Sequence, residues 1–457
     1  MRRIWAVTVN TARQVLRMKI AVVFTVLLFV LLAGMSNVMT GDGTLKGKLQ
    51  TFINYGFSLT NLLLCLFTII VSTHSLTSEI KHGQVYTVLT KPIRRFQLLI
   101  GKLLGTVLLG AALLGLFTAT IYSAVMYTHK FSGAQEPELI QVRNEFLTAR
   151  ASLVPEEIDV SKESLETYKK LQDSGQIPPK TETSKAAYNR RIYEITKQLK
   201  LQKRAATPGG ELLWEFNNVK PLGTGQKLFV KFKYDVAENP PDLQILGRWI
   251  FGDYKQYSSK TRTAVYISDR KDLVRTFHEM TIPADAVTEN GYLAIRFLNA
   301  PVNNTTVFFP EENGLEVLYK ADTFTANFLR ASLLLLPRLV LLACMGILAS
   351  TFLSFPVAVL LCLFVFLTAT ISGFILESFK NPAGSTGWLQ SYFFEPVIKL
   401  MPQFDKFDPV QYLVPARLLS WSMVAEAAVL MICIQAVLLL LIASFIFSYR
   451  EVAKVTV

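Results

Sequence analysis

The chain has 457 residues, 51% of them hydrophobic, and its 47 Lys+Arg against 34 Asp+Glu give a net charge of +13. Its apolar residues cluster into runs of about twenty, which excludes an ordinary soluble enzyme, whose apolar positions recur with helical or strand period. The cation excess is not a nucleic-acid signal: residues 128–325 hold 27 basic and 26 acidic residues, so the surplus lies beside the apolar runs.

In chain order, residues 2–18 predict an amphipathic helix. Ile4, Trp5, Val9, Ala12, Val15 and Leu16 share one arc; Arg2, Arg3, Asn10, Arg13, Gln14 and Arg17 share the other. Such a helix either lies in the plane of the inner leaflet or extends the first span inward. Ile20–Met39 follows without a charge and is read as a retained anchor, because no small-x-small cleavage site follows closely. Ile53–His74 and Leu103–Tyr127 are the next runs, separated by the basic stretch "SEIKHGQVYTVLTKPIRRFQLLIGK" (residues 78–102). Phe328–Leu376 is too long for one span at 1.5 Å per residue, so it predicts a hairpin whose second helix starts at Pro356. Val424–Ser448 is the last run, giving six spans.

Lys and Arg in short loops mark the cytoplasmic side. With the amino terminus inside, the inner segments hold twelve of them: Arg2, Arg3, Arg13, Arg17, Lys19, Lys81, Lys91, Arg94, Arg95, Lys102, Arg450 and Lys454. Both termini are then cytoplasmic, and residues 128–325 and the loop 378–422 lie outside. All four cysteines, Cys65, Cys344, Cys362 and Cys433, fall in spans, so no disulfide staples the exported block.

Residues 137–205 of that block read as helices, with a Gly- and Pro-containing turn in "DSGQIPPKTETS". From residue 210 to 320 the period changes to two. "ELLWEF", "KLFVKFKYD", "GRWIFG", "RTAVYIS", "GYLAIRFLN" and similar runs predict an antiparallel β-sandwich or jelly roll. Trp249, Tyr254 and Tyr257 are there either as core and hairpin packing or as rings to stack on sugars. The loop 378–422 is apolar and carries prolines, which suits short interfacial or re-entrant elements. Arg330 is placed to snorkel at the outer end of the fourth span. Arg338 lies deep in it, beside Pro337, as a translocation-path residue or a structural partner.

No nucleotide site is legible. The two "GK" pairs, Gly47-Lys48 and Gly101-Lys102, have Asp42 and Phe96 where a P-loop needs its first Gly, and Leu after the Lys. His74, His82, His129 and His278 are scattered, and no metal-ligand spacing occurs.

The stretch 78–102 resembles the cytoplasmic coupling segment of ABC-2 type permeases, the membrane subunits of one class of ABC transporter. The matching residues are Glu79, Gly83, Leu89, Lys91, Pro92, Ile93, Arg95, Leu99, Gly101 and Lys102; Arg94 stands where a small residue is more usual. "LMPQFDKFDPVQYL" resembles the family's outer loop through Pro402, Phe407 and Asp408, and "FSYREV" resembles its closing motif through Phe447, Arg450 and Glu451. The likeness covers roughly residues 1–127 and 326–457; a 200-residue block between spans three and four departs from the pattern. The expected architecture is an α-helical polytopic membrane protein with an inserted extracytoplasmic domain. Its divisions are 1–127 with a coupling helix at 76–98, 128–325, and 326–457.

The resemblance implies a permease subunit of an exporter in a bacterial cytoplasmic (inner) membrane. It implies pairing with a second permease subunit, identical or paralogous, and with a cytoplasmic ATPase that carries ATP and Mg, leaving this chain no cofactor and no enzyme activity of its own. Val85, Val88 and Leu89 would form the docking face of a short helix, Gly83 its entry and Pro92 its stop, with Arg94, Arg95 and Lys102 free for lipid headgroups or acidic partner residues. The alternative is a non-transporting relative that transmits ATPase motion to its exported domain and an outside partner. A third, less demanding possibility is a membrane-anchored carbohydrate-binding module.

Overall fold

The computed structural model describes residues 2–38, 41–82, 94–177, 185–220, 225–253, 263–311, 313–379, 396, 398 and 401–449. Helices α1 (Arg2–Leu16), α2 (Lys19–Val38), α3 (Leu45–Lys81), α4 (Arg95–Phe131) and α5 (Glu136–Gln141) open the chain. Strand β1 (Thr148–Leu153) and helices α6 (Ser161–Asp173) and α7 (Lys185–Lys203) follow. Next come β2 (Ala205–Ala206), β3 (Glu211–Phe216), β4 (Lys227–Phe232), β5 (Asp235–Val236), β6 (Gln244–Gly252), β7 (Tyr266–Leu273), β8 (His278–Pro283), β9 (Leu293–Asn299), β10 (Val307–Phe308) and β11 (Leu315–Thr323). Helices α8 (Phe324–Phe352), α9 (Phe355–Thr370), α10 (Ser372–Phe379), α11 (Val410–Leu413) and α12 (Trp421–Tyr449) close it.

The described residues divide into two compact units, one of residues 1–149 with 323–457, the other of Arg150–Asp322. In the first, α3, α4, α8 and α12 are long and apolar enough to cross a membrane; Val22–Met35 and Phe355–Thr370 are shorter apolar helices. Local chemistry sets the ends. Thr44 caps α3 by accepting from the Gly47 amide at 3.0 Å, after a turn in which Gly41 and Gly43 take positive φ. The expected hairpin break is present: α8 ends at Phe352, and Pro356 sits in the first turn of α9, where its missing N–H costs nothing.

α3 and α8 pack through small and hydroxyl residues. A Cβ on Gly346 would lie 1.9 Å from Ser72 Oγ, so only glycine lets the two backbones approach this closely. Ser350 Oγ donates across this seam to the Thr73 carbonyl at 3.1 Å. Around it, Phe57, Phe117, Ile121, Phe328, Leu335 and Leu342 form part of a continuous apolar core.

The second unit is built from two four-stranded sheets, β1-β11-β4-β8 and β3-β9-β6-β7, with a small β2-β10-β5 sheet. Trp249 is fully buried at its centre, with ring centroids 4.5 Å from Phe232 and 4.8 Å from Phe297. It is therefore core, and the sugar-stacking role is closed to it; Tyr254 and Tyr257 lie outside the described residues. Gly247 is a required glycine, since a Cβ there would meet the Phe297 ring at 2.3 Å. Tyr168 of α6 and Ile195 of α7 pack together with Ile177, which follows α6.

The expectation of helix throughout 137–205 needs correction. Glu136–Phe146 is helical, but Thr148–Leu153 is a strand on the edge of the β11 sheet. Ser152 Oγ donates to Glu316 Oε1 at 2.5 Å, tying β1 to its neighbour. A sheet edge open to pairing outweighs the weak helical preference of "TARASL".

Candidate inner-face coupling site

Four helices and α1 meet at one end of the first unit. Leu76 of α3, Leu98 and Leu99 of α4, Ile347 of α8, and Ala443 and Phe447 of α12 form a separate buried cluster. Val7 of α1 packs against it.

Inside this cluster Lys102 is fully buried and Glu79 is 8% exposed. Lys102 Nζ lies 2.9 Å from Glu79 Oε1 and donates to the Ser75 carbonyl at 2.7 Å. Two charges removed from water persist only when paired and hydrogen-bonded, so this bridge locks the end of α3 to the start of α4. The family resemblance leaves Lys102 free for headgroups or an acidic partner. The structure corrects this: the side chain points inward, where the Glu79 carboxylate and the Ser75 carbonyl receive it.

Arg95 is redirected in the same way. Its Nη1 donates to the Phe447 and Ser448 carbonyls at 2.8 and 2.7 Å, and its guanidinium stands 5.9 Å from the Phe447 ring centre. These carbonyls belong to the last described turn of α12. Arg95 thus ties this turn of α12 to the start of α4. Arg94 is exposed at the N-cap of α4, and its backbone N–H donates to Gln97 Oε1 at 3.3 Å.

Gly101 acts by absence of a side chain. A Cβ there would lie 2.6 Å from Val7 Cβ, and one on Gly105 would lie 2.7 Å from Thr11 Cβ. The two glycines, four apart, form a flat strip on which α1 lies, with Thr8, Thr11 and Val15 buried. The face of α1 turned to the protein is therefore Val7, Thr8, Thr11 and Val15, while Trp5 and Leu16 of the expected apolar arc are 61% and 59% exposed. Sequence reasoning missed Gly105, although "GKLLG" carried the small-xxx-small signal.

Gly83, Val85, Val88, Leu89 and Pro92 lie outside the described residues, as do Arg450 and Glu451. The described flanks place Glu79, Arg94, Arg95, Gly101, Lys102 and Phe447 in one neighbourhood, with direct contacts joining Glu79 to Lys102 and Arg95 to Phe447.

Arg338 belongs to a different place. It is 3% exposed, its Nη2 donates to the Phe404 carbonyl at 2.6 Å, and its guanidinium stacks 4.8 Å from the Phe404 ring centre. A cavity of about 370 Å3 beside it is lined by Ser58, Asn61, Asp405, Asp408 and Gln411 among others. Asp405 accepts from Ser372 Oγ at 2.9 Å. Further hydrogen bonds tie the same loop to the helices: Gln50 Nε2 to the Val414 carbonyl at 2.8 Å, and Asn327 to the Arg417 carbonyl and the Leu419 amide, each at 2.8 Å. Arg330 does not snorkel; it is buried, donates to the Leu419 carbonyl at 3.3 Å and lies over the Trp421 ring. Phe407 is buried, and Asp408 Oδ1 accepts from the Val410 amide at 3.1 Å, opening α11. Phe404 and Asn327, which do most to seat this loop, carried no legible signal in the sequence.

Residues 5–143 match the family model described as ABC-2 family transporter protein. No curated protein and no solved structure gives a significant match to the chain.

Proposed function

We propose, from the family that residues 5–143 match, that this chain is the membrane-spanning subunit of an ABC-2 type exporter driven by ATP hydrolysis in a separate cytoplasmic ATPase. It would cross a bacterial cytoplasmic membrane six times, with both termini inside, beside a second permease subunit. The observation that carries the reading is the bracing on either side of residues 83–93. The α3 end before them is bonded to α4 through Glu79–Lys102, and the α4 start after them is bonded to α12 through Arg95 and packed on α1 through Gly101. A displacement applied to the intervening segment is delivered to four helices together, because packed helices move as rigid bodies. Gly83, Val85, Val88, Leu89 and Pro92 are the docking residues in this account. The energy comes from hydrolysis of ATP, with Mg as its cofactor, in the partner.

The reading is tested by co-purification. Full-length chain isolated from its own membranes should bring a P-loop ATPase with it, and Val88→Pro should abolish that association. Association unchanged by Val88→Pro overturns the docking assignment.

Two observations favour the alternative, in which ATPase motion is transmitted to the β-rich unit and no substrate crosses. Arg338 already bonds Phe404, and in the outward row of β3-β9-β6-β7, Leu213–Arg296–Ile250–Ile267, three of the four side chains are aliphatic and none is an aromatic ring for sugar stacking. Deleting residues 150–322 separates the two readings: transmission loses the outside partner and keeps ATPase coupling.

A further inference from the structure

A cavity of about 400 Å3 opens beside α1, lined by Asn10, Arg13, Gln14, Arg17 and Glu79. Positions 10, 13, 14 and 17 share one helix face. Arg13 and Arg17 are exposed one turn apart and make no ion pair among the described residues. At the other wall Glu79 is 8% exposed. Its Oε1 holds Lys102, while its Oε2 is buried and has no hydrogen-bond partner. A desolvated carboxylate oxygen left unbonded is costly, and a donor arriving in the cavity removes that cost. The cavity thus offers two guanidiniums for an anion, and the Glu79 carboxylate in its wall has one unbonded oxygen that accepts a cation once the carboxylate turns toward the cavity.

The surroundings are those of a membrane surface. α1 exposes Trp5 and Leu16 together with Arg2 and Arg3, the pattern of a helix lying at the headgroup level. α2 starts just after Arg17 and presents Val22, Val26 and Val30, one above another, at 58%, 54% and 62% exposure. An acyl chain has an apolar track there that begins beside the polar cavity.

We infer that this cavity binds the headgroup of an aminophospholipid, with the phosphate on Arg13 and Arg17 and the primary ammonium on Glu79 Oε2. Guanidinium–phosphate pairing supplies charge-assisted hydrogen bonds, and Asn10 and Gln14 add neutral donors. Glu79 supplies the selectivity: an ammonium donates a hydrogen bond to Oε2, which a trimethylammonium or a glycerol headgroup cannot match. The inference rests on the membrane reading alone and stands or falls independently of the ATPase partner.

The test is native mass spectrometry of the purified full chain in detergent, with equimolar dioleoyl phosphatidylethanolamine, phosphatidylcholine and phosphatidylglycerol. One charge-assisted hydrogen bond predicts about tenfold preferential retention of phosphatidylethanolamine over both competitors. Arg13→Gln with Arg17→Gln, both on exposed positions that leave the core untouched, should lower that retention by a similar factor. Glu79→Gln should bring the ethanolamine-to-choline ratio close to one. Equal retention of the three lipids, or retention unchanged in the double arginine variant, overturns the site. Displacement of the lipid by equimolar free O-phosphoethanolamine overturns the lipid as the source of the headgroup.

Discussion

Lys102 Nζ and Glu79 Oε1 stand 2.9 Å apart in the interior of the helical unit, joining the exit of α3 to the entry of α4. Two residues that the family resemblance placed in one coupling motif are thus each other's partners. Breaking the pair from one side leaves the other charge stranded, so Lys102→Met should destabilise the chain by about 3–5 kcal/mol. The double variant Glu79→Leu with Lys102→Met removes both charges and should recover most of that loss. Thermal unfolding in detergent, followed by helical circular dichroism, reads the difference; a double variant no more stable than the single one contradicts the pairing.

Gly101→Val places a branched side chain where Val7 Cβ would already be 2.6 Å from a Cβ, and should cost about 1–3 kcal/mol by overpacking. Gly115 of the same helix has nothing within 4 Å of a Cβ, so Gly115→Ala should be neutral or stabilising by up to about 1 kcal/mol. Melting of the two variants side by side distinguishes lost α1 docking from a general intolerance of α4 to substitution.

Arg338→Gln should loosen the loop that Phe404 anchors. Hydrogen exchange of residues 401–420 should rise severalfold in that variant, and Asn327→Ala should raise it in the same segment, because both side chains bond the loop backbone. If Arg338→Gln leaves exchange unchanged while abolishing transport, Arg338 works on the translocation path and not as an anchor.

Trp249→Ala should destabilise the β-rich unit by about 3–5 kcal/mol, with Trp249→Phe costing much less, since the ring fills the centre of the sandwich. Differential scanning calorimetry of the full chain checks this through the transition assigned to the β unit. Reduced retention on polysaccharide without any change in that transition would return Trp249 to a binding role.

Much of this architecture is legible in the amino-acid sequence. The break at Leu353–Ser354 is announced by Pro356, and strands such as β4, "KLFVKF", alternate clearly enough to be read. β1 is not legible because "TARASL" has no aromatic residue and follows a helical pattern; only its place beside β11 makes it a strand. The site divides similarly. Glu79, Arg95, Gly101 and Lys102 stand out through the family resemblance, but a matched motif does not say which way a cation points. That Lys102 turns inward and Arg95 reaches the end of α12 depends on helix ends far apart in sequence being brought together. The seating of the outer loop by Asn327 and Arg338 has the same origin.

The central claim is that residues 83–93 receive the motion of a separate ATPase. A photo-crosslinking amino acid at Val88, incorporated in the full chain in native membranes and irradiated, tests it most directly. The account predicts an adduct with a subunit carrying a P-loop, its yield changing between nucleotide-free and ATP-trapped states. Incorporation at Val88 that yields no adduct with a P-loop protein in either state would contradict it.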